Sequence, residues 1–173
     1  MKSKPSSISF PLVASNEYEE VRELACEIWP RVYGEMITPA QISYMIDLMY
    51  SPGRIAEDVE SLSIRYHWIE KDSERAGYLA FGPVARATPA TLHKLYLRPE
   101  RHGEGLGSSA LQWAIAELTC AGASELNLRV NRGNEAAIRC YERSGFLVTG
   151  EDCLDIGEGF VMDDFLMSRP LAP

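Results

Sequence analysis

Residues 91–110 read TLHKLYLRPERHGEGLGSSA. The apolar run Leu92 to Leu97 has the composition of a strand, Arg98-Pro99 ends it, and glycines recur at Gly103, Gly105 and Gly107. A helix pattern follows, with apolar residues at Leu106, Ala110, Leu111, Ala114, Ile115 and Leu118. Glycines let the backbone turn tightly and approach a ligand with no Cβ in the way. The first N–H groups of a helix have no intrahelical acceptor, and the helix dipole adds partial positive charge there. Strand, glycine turn and helix start therefore make a seat for phosphate. The loop lacks the Gly-Lys-Ser/Thr ending that handles a nucleoside triphosphate. Its Gly-x-Gly-x-Gly spacing also differs from the Gly-x-Gly-x-x-Gly of dinucleotide sites. The reading that remains is a pyrophosphate held mainly by backbone.

Outward from this stretch, the pattern predicts a mixed sheet with helices. Ile8 to Val13 reads as a first strand, and Asn16 caps a helix, with Glu19 at N3, that runs to about Trp29 before Pro30. Thr38-Pro39-Ala40-Gln41 opens a second helix, and Ser51-Pro52 opens a short third one to about Leu62. Tyr66–Glu70 and Ala76–Phe81 form a hairpin around the polar turn that begins at Lys71. The helix Glu104–Ala121 stops at Gly122, and Glu125–Val130 turns Leu126, Leu128 and Val130 inward. Asn134 caps a helix over Glu135–Ser144 that ends at Gly145. Phe146–Cys153 and Phe160–Met167 supply a last antiparallel pair, and both chain ends read as frayed. The strand–helix–strand from Leu92 to Val130 is a right-handed parallel unit. The fold class is thus α/β, with the α+β character of a mixed sheet.

A chain of 173 residues with 46% hydrophobic and 24% charged residues is the size and composition of one domain. No apolar run reaches a membrane-spanning length, and the start Met-Lys-Ser-Lys-Pro lacks a signal-peptide core. Cys26, Cys120, Cys140 and Cys153 have neither metal nor redox spacing. These features read as a reduced, cytoplasmic, metal-free protein outside the membrane. A net charge of −8 opposes binding to nucleic acid and is compatible with a cationic substrate.

Arg101-His-Gly-Glu-Gly-Leu-Gly107 resembles the Gln/Arg-x-x-Gly-x-Gly/Ala loop with which the GCN5-related N-acetyltransferase superfamily holds the pyrophosphate of acetyl-coenzyme A. Residues 130–146, VNRGNEAAIRCYERSGF, resemble the family's next motif, Asn-x-x-Ala-x-x-x-Tyr-x-x-x-Gly-Phe. The motifs follow in the family's order across residues 91–146. The resemblance implies a single N-acetyltransferase domain over residues 1–173, with acceptor-side helices at about 16–62. It also implies a twisted, mostly antiparallel sheet in which two neighbouring parallel strands splay apart to admit acetyl-coenzyme A as co-substrate. Pantetheine then pairs with Leu95, Tyr96 and Leu97. The phosphates meet His102, Gly103, Glu104, Gly105, Leu106, Gly107 and Ser108. The family's Gln/Arg position falls on His102 with Arg101 one place earlier, and which of the two assists stays open. Asn134 is a further cofactor contact as well as a helix cap, with Asn131 a second candidate. Arg132, Arg139 and Arg143 lie near enough for the nucleotide phosphate. Homodimers are common in the family.

Acyl transfer needs a neutral amine in line with the thioester carbonyl, a donor for the oxyanion, and a proton for the departing thiolate. The resemblance gives the last role to Tyr141. His93, next to Lys94 on the strand before the loop, is the candidate base, with ordered water as the alternative. Glu35, Glu158, Asp163 and Asp164 are carboxylates able to attract an ammonium group. Trp29, Tyr33, Glu158 and Phe160 are the candidate acceptor residues, with core packing as the other reading of the aromatics. The string Ile28-Trp-Pro-Arg-Val-Tyr-Gly-Glu-Met-Ile37 and the later Asp155-Ile-Gly-Glu-Gly-Phe-Val-Met-Asp-Asp-Phe165 resemble bacterial members related to diamine and spermine N-acetyltransferases, which implies a small amine or polyamine acceptor. A peptide or protein amine, or a non-catalytic acetyl-coenzyme A binding module, are the alternatives.

Overall fold

Seven strands form one sheet in the order β1-β2-β3-β4-β5-β7-β6, in a computed structural model that describes residues 7–171. The strands are β1 (Ile8–Ser9), β2 (Arg65–Lys71), β3 (Glu74–Gly82), β4 (Ala90–Leu97), β5 (Glu125–Asn131), β6 (Leu147–Gly157) and β7 (Phe160–Pro170). Helices α1 (Tyr18–Tyr33), α2 (Pro39–Tyr50) and α3 (Pro52–Ser61) pack on one face. Helices α4 (Leu106–Cys120) and α5 (Glu135–Arg143) pack on the other. Every strand pair is antiparallel except β4 with β5.

That parallel pair is brief. It joins Ala90, Thr91 and Leu92 to Leu126, Asn127 and Leu128 and then stops. Beyond it β4 stays with β3 as far as Leu97, while β5 stays with β7 as far as Asn131. The edge of β4 from His93 to Leu97 therefore faces a gap, the splay that the family resemblance implies. A bulge sits at its root, because Lys94 pairs with Ala80 and Leu92 with Phe81, leaving His93 as the extra residue. Such a bulge bends its strand and increases the local twist.

Three of the four predicted caps act; Asn16 does not, because it lies inside a short 3-10 turn, Ser15–Glu17, ahead of α1, and there the Glu17 carboxylate accepts from Ala14 N–H at 2.8 Å. Thr38 Oγ1 accepts from Gln41 N–H at 3.2 Å, Ser51 Oγ from Arg54 N–H at 3.2 Å, and Asn134 Oδ1 from Ala137 N–H at 3.2 Å. The turn from β2 to β3 is tight, with Asp72 and Ser73 at φ 53° and 69°. Three further expectations need correction. Helix α1 continues through Pro30 to Tyr33, since a proline in the last turn forfeits one hydrogen bond and Gly34 N–H still donates to Pro30 O at 3.1 Å. Strand β1 covers only Ile8–Ser9, because Pro11 has no N–H to give and pairing resumes as a single bridge from Leu12 to His67. The C-terminal end is tied down through residue 171: β7 runs to Pro170, and Leu171 is buried with its N–H on Ser124 O. The expectation of a frayed start falls mainly on residues outside those described.

The core has two layers. Leu106, Leu111, Leu118 and Phe146 pack against Leu79, Phe81, Leu92 and Leu126 on the α4–α5 side. Ile28, Trp29, Ile46, Tyr50 and Ile55 pack against Trp68, Tyr78 and Ala80 on the α1–α3 side.

Candidate active site

The gap between β4 and β5 opens into two cavities that meet. The first, of about 470 Å³, runs along Leu95, Tyr96 and Leu97 to the glycine loop and is closed by α5. Gly103 and Gly105 take φ 82° and 76°, the left-handed conformation that glycine adopts without strain. The first helical hydrogen bond of α4 is Ser109 N–H to Gly105 O at 3.0 Å, so the N–H groups of Leu106, Gly107 and Ser108 have no acceptor within the helix. Gly103, Gly105, Leu106, Gly107, Ser108 and Asn134 all line this cavity.

The side chains of the loop are arranged differently from its backbone. Glu104 is not among the lining residues; it pairs with Lys71 at 2.6 Å and with Arg101 at 2.9 Å. Arg101 also reaches Glu74 at 3.3 Å, and His102 Nε2 donates to Leu97 O at 3.2 Å. Both Arg101 and His102 touch the cavity, yet each is already engaged elsewhere. Arg143, from the end of α5, lines the cavity as a third cation, with no ion pair among the described residues. Arg132 and Arg139 pair with Glu151 and Glu135 and lie outside the lining.

The second cavity, of about 430 Å³, lies on the α1–α3 face. Trp29 and Tyr33 project into it from the last turns of α1, with ring centres 4.9 Å apart. Its outer wall is a clasp between α2 and the β6–β7 hairpin. Gln41 Nε2 donates to Val161 O at 2.6 Å, and the Tyr44 hydroxyl donates to Ile156 O at 2.5 Å. Met45, Met49, Leu154, Ile156, Val161 and Met162 make this space largely apolar.

Tyr33, Leu92, His93, Lys94, Tyr96 and Arg129 border both cavities. The hydroxyls of Tyr33 and Tyr96 are 2.9 Å apart. His93, the bulged residue, stands at this junction; solvent reaches it through the cleft while protein surrounds the rest of the ring. Burial, aided by the Lys94 charge, lowers its pKa to about 4, so the ring is neutral at pH 7 and a weak base. Tyr141 lines the first cavity, its hydroxyl held well above the usual tyrosine range by burial.

The carboxylates fall in three places. Glu158 is exposed in the β6–β7 turn, Phe160 packs against Tyr44 with ring centres 5.4 Å apart and planes tilted by 47°, and Glu35 is exposed after α1; none lines either cavity. Asp163 lies 3.7 Å from Arg132. Asp164 lines the second cavity but is held by Arg129 Nε at 3.1 Å. Sequence reasoning missed Asp58, a buried acid on α3 that receives the Tyr66 hydroxyl at 2.6 Å. Its signal was present: it follows Ile55 by three residues on the face that packs inward. No group of side chains able to hold a metal ion occurs among the described residues, and no described helix is long and apolar enough to cross a membrane.

Residues 18–146 match the model of the acetyltransferase (GNAT) family. The chain is 27% identical over 153 residues to an uncharacterized N-acetyltransferase of Mycobacterium tuberculosis, covering 88% of this chain and 97% of that protein. It is 26% identical over 161 residues to spermidine N(1)-acetyltransferase of Thermoplasma acidophilum, covering 91% and 96%. The crystal structure of PaiA N-acetyltransferase from Thermoplasma acidophilum in complex with coenzyme A superimposes with a TM-score of 0.78 at 27% identity. That match covers 95% of this chain and 99% of the other. With the glycine loop, the splayed strand pair and the second motif in one continuous fold, the chain belongs to the acetyltransferase (GNAT) family.

Proposed function

We propose that this protein transfers the acetyl group of acetyl-coenzyme A to the primary amine of a small acceptor. The observation that carries the reading is the junction of two cavities at a splayed strand pair, one built on backbone donors and the other largely apolar. The neighbour's coenzyme A complex supports the first as the cofactor site. Pyrophosphate meets the free N–H groups of Leu106, Gly107 and Ser108, pantetheine pairs with Leu95, Tyr96 and Leu97, and Arg143 joins His102 and Arg101 as a cation for the phosphates. The amine enters through the second cavity and attacks the thioester carbonyl at the junction. The oxyanion that forms is stabilised by backbone N–H groups left without ladder partners beside the bulge. As the C–S bond breaks, Tyr141 protonates the thiolate, and the amine's proton leaves through His93 or water. The clasp from α2 to the β6–β7 hairpin supports a small acceptor over a protein side chain.

A polyamine is the acceptor that the sequence implies, and the name of the Thermoplasma relative supports it. Its electrostatic support is thinner than the sequence suggests, because Glu158 stands apart from both cavities and Asp163 and Asp164 already have arginine partners. A cytoplasmic setting agrees with four free cysteines. A homodimer, measurable by light scattering, completes the reading.

Thiol release is the test. Coenzyme A should appear from acetyl-coenzyme A only when an amine is added, across polyamines, aminoglycosides, amino acids and short peptides. Binding of acetyl-coenzyme A with no release for any amine would leave a binding module instead. If spermidine is the acceptor, its kcat/KM should fall clearly from low to high salt, while that of a monoamine falls less.

A further inference from the structure

The two acids in the wall of the acceptor cavity keep less surface than the cations paired with them. Asp58 and Asp164 each keep only 4% of their side-chain surface. Asp58 Oδ1 lies 3.0 Å from Arg54 Nε, its Oδ2 takes the Tyr66 hydroxyl, and Lys94 Nζ is 4.0 Å from the same oxygen. This end of the cavity is lined by Asp58 together with Lys94 on β4 and Arg54 on α3, and the two cations keep 10% and 44% of their side-chain surface. Arg54 also reaches the exposed Glu57 at 3.6 Å, and among the residues that line the cavity Arg54, Lys94 and Arg129 face only two acids, Asp58 and Asp164, so the lining carries one more positive than negative charge. Lys94 is nine-tenths buried and packs 4.9 Å from the ring centre of Tyr50 and 5.4 Å from that of Tyr66. Burial lowers its pKa to about 8, so it remains mostly charged at neutral pH. Aromatic faces attract an ammonium group but do not neutralise it.

A polycation entering this space brings like charge to Lys94, whereas an anion completes the cluster. Lys94 also directly follows His93, which borders both cavities where the proposed reaction places the amine. We infer that the natural acceptor carries a carboxylate on the same small molecule as its amine, and that Lys94, assisted by Arg54, receives that carboxylate. The apolar wall of Ile37, Met45, Met49 and Val161 suits a hydrocarbon body between or beside the two groups. The acceptor is then an amino acid in the chemical sense. This inference rests on the acetyltransferase reading and deepens it by naming the substrate class.

Matched acceptors test it: leucine against leucinamide, and 4-aminobutyrate against butylamine, with spermidine alongside, each assayed by thiol release. In at least one pair the carboxylate-bearing member should have the higher kcat/KM, even though leucinamide yields its ammonium proton more readily than leucine. Lys94→Gln should raise KM for that acceptor about 10- to 100-fold, the range for a lost hydrogen bond to a charged group. The carboxyl-free partner should change little, and the Kd for acetyl-coenzyme A should stay the same. Arg54→Gln, at a largely exposed residue, should act in the same direction with less force. A purely structural Lys94–Asp58 pair would shift both members of a pair equally, which overturns the inference. So would carboxyl-free amines or spermidine outpacing both acids. Failure of every amine to release thiol would overturn the acetyltransferase reading on which it stands.

Discussion

Tyr141 projects from α5 into the wall of the first cavity, the proposed cofactor site, its ring 5.8 Å from that of Phe146. Replacing it with phenylalanine keeps this packing and removes one hydroxyl. Tyr141→Phe should therefore leave the Kd for acetyl-coenzyme A nearly unchanged while kcat falls about a hundredfold, the usual weight of a positioned acid. Separate measurement of kcat and Kd checks this, and an unchanged kcat would hand the proton to water. His93 makes a different prediction. Its pKa is near 6.5 in an unfolded chain and about 4 in the fold. Between those values the unfolded chain binds more protons, so stability is lost as pH falls from about 6.5 through about 4. His67, also lowered by burial, acts in the same direction. His93→Gln should flatten the fall in Tm over that window, with the remaining slope left to His67 and the carboxylates. Parallel Tm curves for parent and variant would mean the ring is as well solvated in the fold as outside it.

The glycine loop works as an element because its backbone points where side chains would otherwise stand. Gly105 has a positive φ, so any substitution there strains the chain and confuses binding with folding. Gly107 is the cleaner probe. A Cβ on it would find only Leu97 Cδ1, at 3.5 Å, an ordinary contact. Gly107→Val should leave the free protein folded, yet place methyl groups at the phosphate seat. An overpacking penalty of about 1–3 kcal/mol corresponds to a Kd for acetyl-coenzyme A weakened about 5- to 150-fold. Calorimetry measures it, and an unaltered Kd would remove the loop from the account. Helix α1 is the second element that reaches the junction of the two cavities. Its passage through Pro30 carries Tyr33 to the junction, where a helix ending at Trp29 would leave a loop.

At the scale of the molecule, the sheet is two halves joined by three pairs of residues, β1 to β4 on one side and β5 to β7 with β6 on the other. A ligand that pairs with β4 and sits beneath α5 braces those halves together. Acetyl-coenzyme A at a hundred times its Kd should add about 2.7 kcal/mol to stability. In amide exchange, the protection it confers should be largest at Leu95–Leu97 and the start of α4, and should extend across the gap to β5. Protection confined to the glycine loop would show that the pantetheine arm does not use the strand edge.

Much of this was legible in the chain because it is local. Apolar periodicity, capping residues and glycines at turns act within a few positions, and they placed nearly every helix and strand. The two motifs, resting on backbone at Gly103–Gly107 and on Asn134 and Tyr141, identified the family for the same reason. What only the tertiary structure decided depends on residues far apart in sequence meeting at one point. The splay follows from β4 keeping β3 while β5 keeps β7. The engagement of Arg101, His102 and Glu104 follows from the nearby hairpin and strand. The sign of the acceptor cavity follows from which charges meet in its wall. In sequence, Asp164 and Arg129 are an acid and a base 35 positions apart, and Asp58 and Lys94 are 36 apart. In the fold each pair meets in the wall of one cavity, the acids at 4% exposure and their cations with more surface, and electrostatic attraction depends on that pairing and exposure rather than on the count of charges.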